Sequence, residues 1–322
     1  MATLHIYKKF IDRYSPIVDD EKAFFQCLET RLPRAFRINT IKADKEKVLE
    51  SLTEKGVGFQ DVAWYEDAFV TDNLEIGNTI DHFIGNIYIQ ELVSMLPGVI
   101  ASQELTEKSI VLDAAAAPGS KTTHLASMMG NKGCIVANDK DFWRIKALKF
   151  NIEKLGVLNT VITNQDFRFF NVNKTSGSIP IFDFVLLDAP CSSEGTIRKD
   201  PDVLKRWSEK SVFGMARLQK QMILKGFDLL KHDKTLLYST CTFAPEEDEG
   251  VIQYLLDNRE GVEVEKIQLK GLKTSQGLEK WQKQEFSDQV KNCCRIWPHH
   301  NNTGGFFMAK IRKIGGGEDG KT

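Results

Sequence analysis

The chain has 322 residues, 42% hydrophobic and 27% charged, with a net charge of −1, which suits a globular protein with enough core for one large domain or a large and a small one. No apolar run approaches the ~20 residues of a membrane helix, and the N-terminus MATLHIYKKFIDRYS carries no export signal, so a cytoplasmic protein is expected. Six scattered cysteines exclude a disulfide framework, and without a Cys-x-x-Cys pair no metal is expected.

Residues 1–105 mix short strand-like pieces (FRINTI, AFVT, IGNIYIQ) with one amphipathic helix, DKEKVLESLTEKG, that Gly56 ends, so a small α+β domain is expected there. Within it, Arg31 to Lys47 holds six basic residues against two acidic ones. From residue 108 the pattern changes. β-Branched apolar runs alternate with longer amphipathic ones, as crossover units of a mainly parallel sheet require, and an α/β domain is expected over 106–312.

The expected strands are SIVLD (109–113), CIVAN (134–138), TVITN (160–164), FDFVLLD (182–188) and TLLYST (235–240), with helices at 119–130, 141–155, 215–231 and 246–258. Pro245 followed by EEDE reads as the start of the last helix, because a fixed φ and acidic charge both suit that end. Arg198 to Lys225 is a second basic stretch, eight residues against three. After the turn-rich WPHHNNT, GGFFMAKI is expected to close the sheet as a hairpin with an antiparallel strand, and the Gly-rich residues 313–322 to be a disordered tail.

In an open parallel sheet, ligands bind outside the carboxyl ends of the strands. Asp113, Asp139, Asp166 and Asp188 each end or follow one of the expected strands. The loop DAAAAPGSKTTHL after the first strand has one glycine, Gly119, where a dinucleotide fingerprint needs three, and its Gly119-Ser120-Lys121-Thr122 lacks the order of a phosphate loop. Small residues at 114–119 with acidic groups beyond suit a ligand that has a ribose and an adenine but no phosphates, and S-adenosylmethionine fits that description. Cys191 leaves the fourth strand in DAPCSS and Cys241 leaves the fifth in YSTCTF, so adjacent strands would deliver both thiols to the same edge. Two small buried hydrophobes are the competing reading of either cysteine alone.

From Arg37 to Lys310 the chain resembles the family of RNA (cytosine-5) methyltransferases that includes eukaryotic NOP2/NSUN proteins, bacterial 16S rRNA enzymes and compact archaeal tRNA enzymes. The resemblance rests on RINT (37–40), YIQELVSMLPG (88–98), DAAAAPGSKTTHLA (113–126), VANDKDFWR (136–144), LLDAPCSSEGTIRKDP (186–201), LLYSTCTFAPEEDEGVI (236–252) and TGGFFMAKI (303–311). Two positions depart from the family pattern, Ala115 for a cysteine and Ser120 for a glycine. The resemblance implies a class I S-adenosylmethionine-dependent methyltransferase, Rossmann-like with a mostly parallel seven-stranded sheet, behind a smaller N-terminal α+β RNA-binding domain.

It also implies roles. Cys241 would be the nucleophile that adds to cytosine C6, and Cys191 would assist release of the methylated product. Asp188 would hold the N3 and N4 edge of the base, with Lys121 beside it. The cofactor would meet the backbone of Ala115, Ala116, Ala117, Pro118, Gly119, Ser120 and Lys121, the ribose would meet Asp139, the adenine Asp166, and Arg144 and Asp188 would lie alongside. The helix starting near Pro245 is expected to lower the Cys241 pKa, and the two basic stretches to hold phosphates. His299, Phe306 and Phe307 are expected to close the core and not to touch RNA. The expected activity is methylation of RNA, tRNA before rRNA, by a monomer; an RNA-binding assembly factor without turnover is the alternative from another class.

Overall fold

The computed structural model describes residues 8–171 and 180–315. Its larger sheet contains β1 (Ile110–Asp113), β2 (Cys134–Asn138), β3 (Thr160–Thr163), β4 (Phe182–Asp188), β5 (Leu230–Thr240), β6 (Cys294–Ile296) and β7 (Phe306–Lys313). In space these run β3-β2-β1-β4-β5-β7-β6. The pairs among β1 to β5 are parallel. β7 runs antiparallel to both β5 and β6. The expected seven strands are therefore present, and two short ones join them at the antiparallel side: Ser275–Gln276 on β6 and Val262–Glu265 on the far half of β7. They extend the sheet to nine strands.

Local sequence explains each piece. FDFVLLD does not alternate because β4 lies between β1 and β5 and is covered on both faces, as central parallel strands are. β5 begins at Leu230, five residues before its expected start, because α3 (Glu209–Leu229) runs into it directly and its polar Lys231–Lys234 stretch bulges between the pairs Leu230–Phe182 and Thr235–Phe184. α1 (Ser120–Met128) and α2 (Phe142–Lys154) follow β1 and β2; the Asp141 side chain caps α2 by accepting from the backbone N–H groups of Trp143 and Arg144.

The largest departure concerns EEDE. α4 spans Glu249–Asn258, so the helix starts at the end of that run, not at its beginning. Glu247, Asp248 and Glu249 are buried. Glu247 accepts from Ser192 N at 3.0 Å and Gln219 Nε2 at 2.8 Å. Asp248 accepts from Thr240 Oγ1 at 2.6 Å, and Glu249 receives a forked pair of bonds from Arg295 at 2.6 and 2.5 Å. Three of four consecutive acids that read as a helix start form an internal polar network instead.

The smaller sheet is antiparallel, ordered Gln60–Asp61, Ala68–Thr71, Arg34–Ile38, Ile87–Ile89. The helix Lys45–Glu54 buries Val48 and Leu52 against Phe36, Phe69 and Ile87 of that sheet, and Gly56 beyond it takes φ +71°, the left-handed conformation that suits a helix stop. Arg37, part of the first basic stretch, is fully buried: its guanidinium donates to Gln90 Oε1 at 3.0 Å and Thr123 Oγ1 at 2.9 Å, joining this sheet to α1. The helices Lys8–Tyr14 and Glu21–Leu28 leave the small sheet altogether and bury Phe10, Tyr14 and Phe24 against Ile197, Leu204, Phe243 and Trp297. β7 runs to Lys313, and the tail expected from 313 lies, beyond Gly315, outside the described residues. No described helix is long and apolar enough to cross a membrane.

Candidate functional site

The carboxyl ends of β1, β4 and β5 open into three adjoining spaces. A cleft of about 600 Å³ lies between the two sheets, lined on one side by Arg31, Arg34 and Tyr88 and on the other by Ala116, Pro118 and Lys121. A cavity of about 210 Å³ is walled by Ala115, Ala117, Asp139, Asp166, Cys191 and Cys241. A third, of about 140 Å³, is walled by Leu32, Lys121, Lys199, Gly305, Phe306 and, again, Cys241. Asp188 borders all three.

The two cysteines meet at the partition. Their sulfurs are 3.3 Å apart. β4 and β5 pair in register with Asp188 opposite Ser239, so the residues that leave the two strands emerge side by side. Both loops are then pinned. Gly195 N donates to Cys241 O at 2.9 Å, and the Ser192 and Thr242 hydroxyls bond at 2.8 Å. Glu194, wholly buried, accepts from the Tyr14 hydroxyl at 2.7 Å, Thr242 Oγ1 at 2.8 Å, Phe243 N at 3.1 Å and the Trp207 indole N–H.

Their titration is split. The hydrogen bond with Cys191 holds the Cys241 thiol below its ordinary range; the Lys121 charge acts the same way, against burial and the Asp188 carboxylate. That bond and burial push the Cys191 thiol well up. The two shifts oppose each other, so a proton between the sulfurs is held more firmly by Cys191 than by Cys241. The helix expected to assist Cys241 begins eight residues later, at Glu249, and its place is taken by Cys191 and Lys121.

Lys121 Nζ lies 2.6 Å from Asp188 Oδ2 and donates to Ser94 Oγ at 3.0 Å, while the Ser239 hydroxyl donates to Asp188 Oδ1 at 2.8 Å. Its ammonium also stands 5.8 Å from the centre of the Phe306 ring. Asp113, beneath them, is pushed up to about 7 by burial, although it accepts the Thr122 hydroxyl at 2.7 Å.

The loop after β1 divides its residues. Ala115 and Ala117 border both the cleft and the cavity that holds Asp139 and Asp166, while Ala116, Pro118, Ser120 and Lys121 line the cleft and not that cavity. Gly119 lines neither space; at φ +101° it rests on α2, where a Cβ would stand 2.9 Å from Leu148 Cδ1. Asp139 accepts from Ala117 N at 3.2 Å and Asp141 N at 2.9 Å, and Arg144 lies 3.4 Å from it while donating to Ala117 O. Asp166 is lowered, chiefly by the hydrogen bond from Arg168, with which it pairs at 2.6 Å.

This cavity fits the cofactor inferred from the sequence. Its walls are small alanines at β1, its acids stand at the ends of β2 and β3, and no phosphate cradle is built into it.

Sequence reasoning missed Ser94, Ser239 and Glu194, which act through Lys121, Asp188 and the cysteine loops; each stands inside a motif but carries no chemistry of its own to mark it. Phe306 was expected only to fill the core, yet it is both a core residue and a wall of the smallest cavity. Phe307 is a core residue, and His299 pairs with Asp19 at 2.8 Å, apart from all three spaces.

Residues 101–312 match the family model of the 16S rRNA methyltransferase RsmB/F, and residues 6–92 that of the N-terminal domain of 16S rRNA methyltransferase RsmF. A tRNA (cytosine(49)-C(5))-methyltransferase of Pyrococcus abyssi is 39% identical over 311 residues, 96% of each chain. A ribosomal RNA small subunit methyltransferase F of Shewanella piezotolerans is 40% identical over 290 residues, 87% of this chain but 57% of the relative's length. The crystal structure of a methyltransferase homolog protein from Pyrococcus horikoshii superposes with a TM-score of 0.82 at 35% identity, covering 97% of this chain and 96% of that one.

Proposed function

The chain belongs to the RsmB/F methyltransferase family, and from that premise we propose that it transfers a methyl group from S-adenosylmethionine to C5 of a cytosine in RNA. The observation that carries the reading is the place of Cys241, whose side chain borders both the cavity suited to the cofactor and the smaller one suited to a single base.

C5 of cytosine is a weak nucleophile until the ring becomes enamine-like. The Cys241 thiolate adds to C6, forming an S–C6 bond and moving an electron pair toward C5. Asp188, held by Lys121 and Ser239, accepts the N4 and protonated N3 edge, which makes C6 more electrophilic. Ala115, Ala117, Asp139 and Asp166 would hold S-adenosylmethionine, which would supply the electrophilic methyl group. C5 bonds to the methyl carbon as the sulfonium S–CH3 bond breaks and leaves a neutral thioether. The C5 proton then passes to water, and its electron pair forms the C5–C6 double bond as the S–C6 bond breaks to return the thiolate, a release that Cys191, at 3.3 Å, assists. The base reaches this pocket by leaving its stack, at a cost of about a few kcal/mol in a duplex and less in a loop.

tRNA is the substrate class we place first, with rRNA as the second reading, favoured by the Shewanella relative at 40% identity. Every group invoked comes from one chain, in keeping with a monomer acting in the cytoplasm. Bisulfite sequencing of total RNA incubated with the protein and S-adenosylmethionine tests the proposal: protected cytosines in tRNA are expected, protection confined to rRNA selects the second reading, and none in any RNA refutes both.

A further inference from the structure

Within the cleft between the two sheets, we propose that Arg31, Arg34 and Lys199 form a phosphate clamp that grips the RNA backbone on either side of the everted nucleotide. This rests on the function proposed above and says which groups hold the substrate.

The cleft contains acids and bases, and nearly all of them already have partners. Asp188 is paired with Lys121, Asp113 accepts the Thr122 hydroxyl, and Glu91 accepts Gly304 N at 3.0 Å and Ser94 N at 3.1 Å. Among the cations, Arg144 is engaged with Asp139 and Ala117 O. Arg198 is buried and donates to Thr303 O, Asn302 Oδ1 and Arg31 O at 2.6–3.1 Å. It holds the chain and cannot reach a ligand.

Three cations remain. Arg31 and Lys199 are exposed and Arg34 is half-buried; all three line the cleft, and among the described residues no side chain or backbone group pairs with their charged ends. The cleft thus faces its ligand with its acids already hydrogen-bonded and positive charge left over, the complement of a polyanion.

Their placement is specific. Leu32, between Arg31 and Arg34, is a wall of the smallest cavity, and so is Lys199, which lines the cleft as well. A base seated against Leu32 and Phe306 would have its own phosphate and the next within reach of cations on both rims. Tyr88, on the cleft side of the small sheet with the Arg37 guanidinium 5.1 Å from its ring centre, offers a face for a neighbouring base. The two basic stretches are thereby reduced to a few residues: Arg37 and Arg198 are structural, and Lys47 is exposed but lines none of the three spaces.

The test uses the full chain and a fluorescein-labelled single-stranded RNA with one cytidine in a run of uridines, titrated at several KCl concentrations. Arg31→Ala and Lys199→Ala are each expected to lower the slope of log K against log salt by about 0.7, the contribution of one single-strand phosphate contact, with Lys199→Arg restoring it and Lys47→Ala leaving it unchanged. In turnover, the same variants should raise KM for RNA about tenfold and leave both kcat and the affinity for the cofactor analogue sinefungin unchanged. Unaltered slopes, or an effect of Lys47→Ala equal to that of Lys199→Ala, would overturn the clamp. A wild-type chain that binds this RNA with the expected slope but never methylates cytidine would instead refute the proposed reaction and leave the clamp standing.

Discussion

The Sγ atoms of Cys191 and Cys241 lie 3.3 Å apart, and their contact shifts the two thiols in opposite directions, Cys191 up and Cys241 down. One thiol is thereby made easier to deprotonate and the other harder, although both leave equivalent strands of one sheet.

The rate at which iodoacetamide alkylates Cys241 should accordingly rise with pH along a limb below the ordinary thiol value of about 8.5. Cys191→Ala removes the donor to the thiolate, so the limb should move up. Peptide mass mapping of the alkylated residue against pH checks this; a limb that stays put would mean that Cys191 does not stabilise the thiolate.

Lys121 and Asp188 act on the same limb with opposite signs. Lys121→Met removes a positive charge that favours the thiolate and should shift it up, whereas Asp188→Asn removes a negative charge that opposes it and should shift it down. Asp188→Asn should nevertheless lower kcat roughly 10²- to 10⁴-fold, the usual span for a lost acid–base partner. Steady-state turnover run beside the alkylation series separates the two effects.

Much of this was legible beforehand. Period, strand length and the acid at each strand exit located β1 to β4 within a residue or so, and the two cysteines declared themselves by leaving neighbouring strands. Less legible were features that depend on what packs against them. EEDE carries the composition of a helix N-terminus, and only Arg295 and Gln219, distant in the chain, together with Thr240 at the end of β5, make it an interior network. Gly119 reads as a place for a ligand, yet Leu148 lies against it. The helix Lys8–Tyr14 belongs by position to the small domain, but its aromatic face finds apolar partners around Phe243 and Trp297.

Glu194 is expected to be a positioning residue. With Ala in its place, the Tyr14 hydroxyl, the Trp207 indole and Phe243 N lose their acceptor, at about 1–3 kcal/mol for each group left buried and unpaired. Glu194→Gln, milder, should lower kcat with little change in KM for RNA and should shift the Cys241 limb, because the cysteine loops are no longer held in register. A variant that loses only thermal stability would assign Glu194 to the fold alone.

Glu247 gives stability a pH dependence of known sign. Burial raises it from 4.5 to about 8, so between those values the folded chain binds a proton that the unfolded chain has released. Its contribution is full below the lower value and is lost as pH rises through the upper one. Urea unfolding at pH 5 and pH 8 should therefore show a smaller fall in stability for Glu247→Gln than for the parent; an equal fall would mean that Glu247 is already ionised in the folded protein.

The division of labour between the thiols is best tested by trapping. Cys191→Ala, incubated with RNA and S-adenosylmethionine, should accumulate a denaturant-resistant RNA–protein adduct whose digest places the nucleotide on Cys241, and Cys241→Ala should bind RNA but neither methylate it nor form the adduct. An adduct on Cys191 in the Cys241→Ala protein, or methylation by that protein at the parent's rate, would contradict the assignment of Cys241 as the nucleophile.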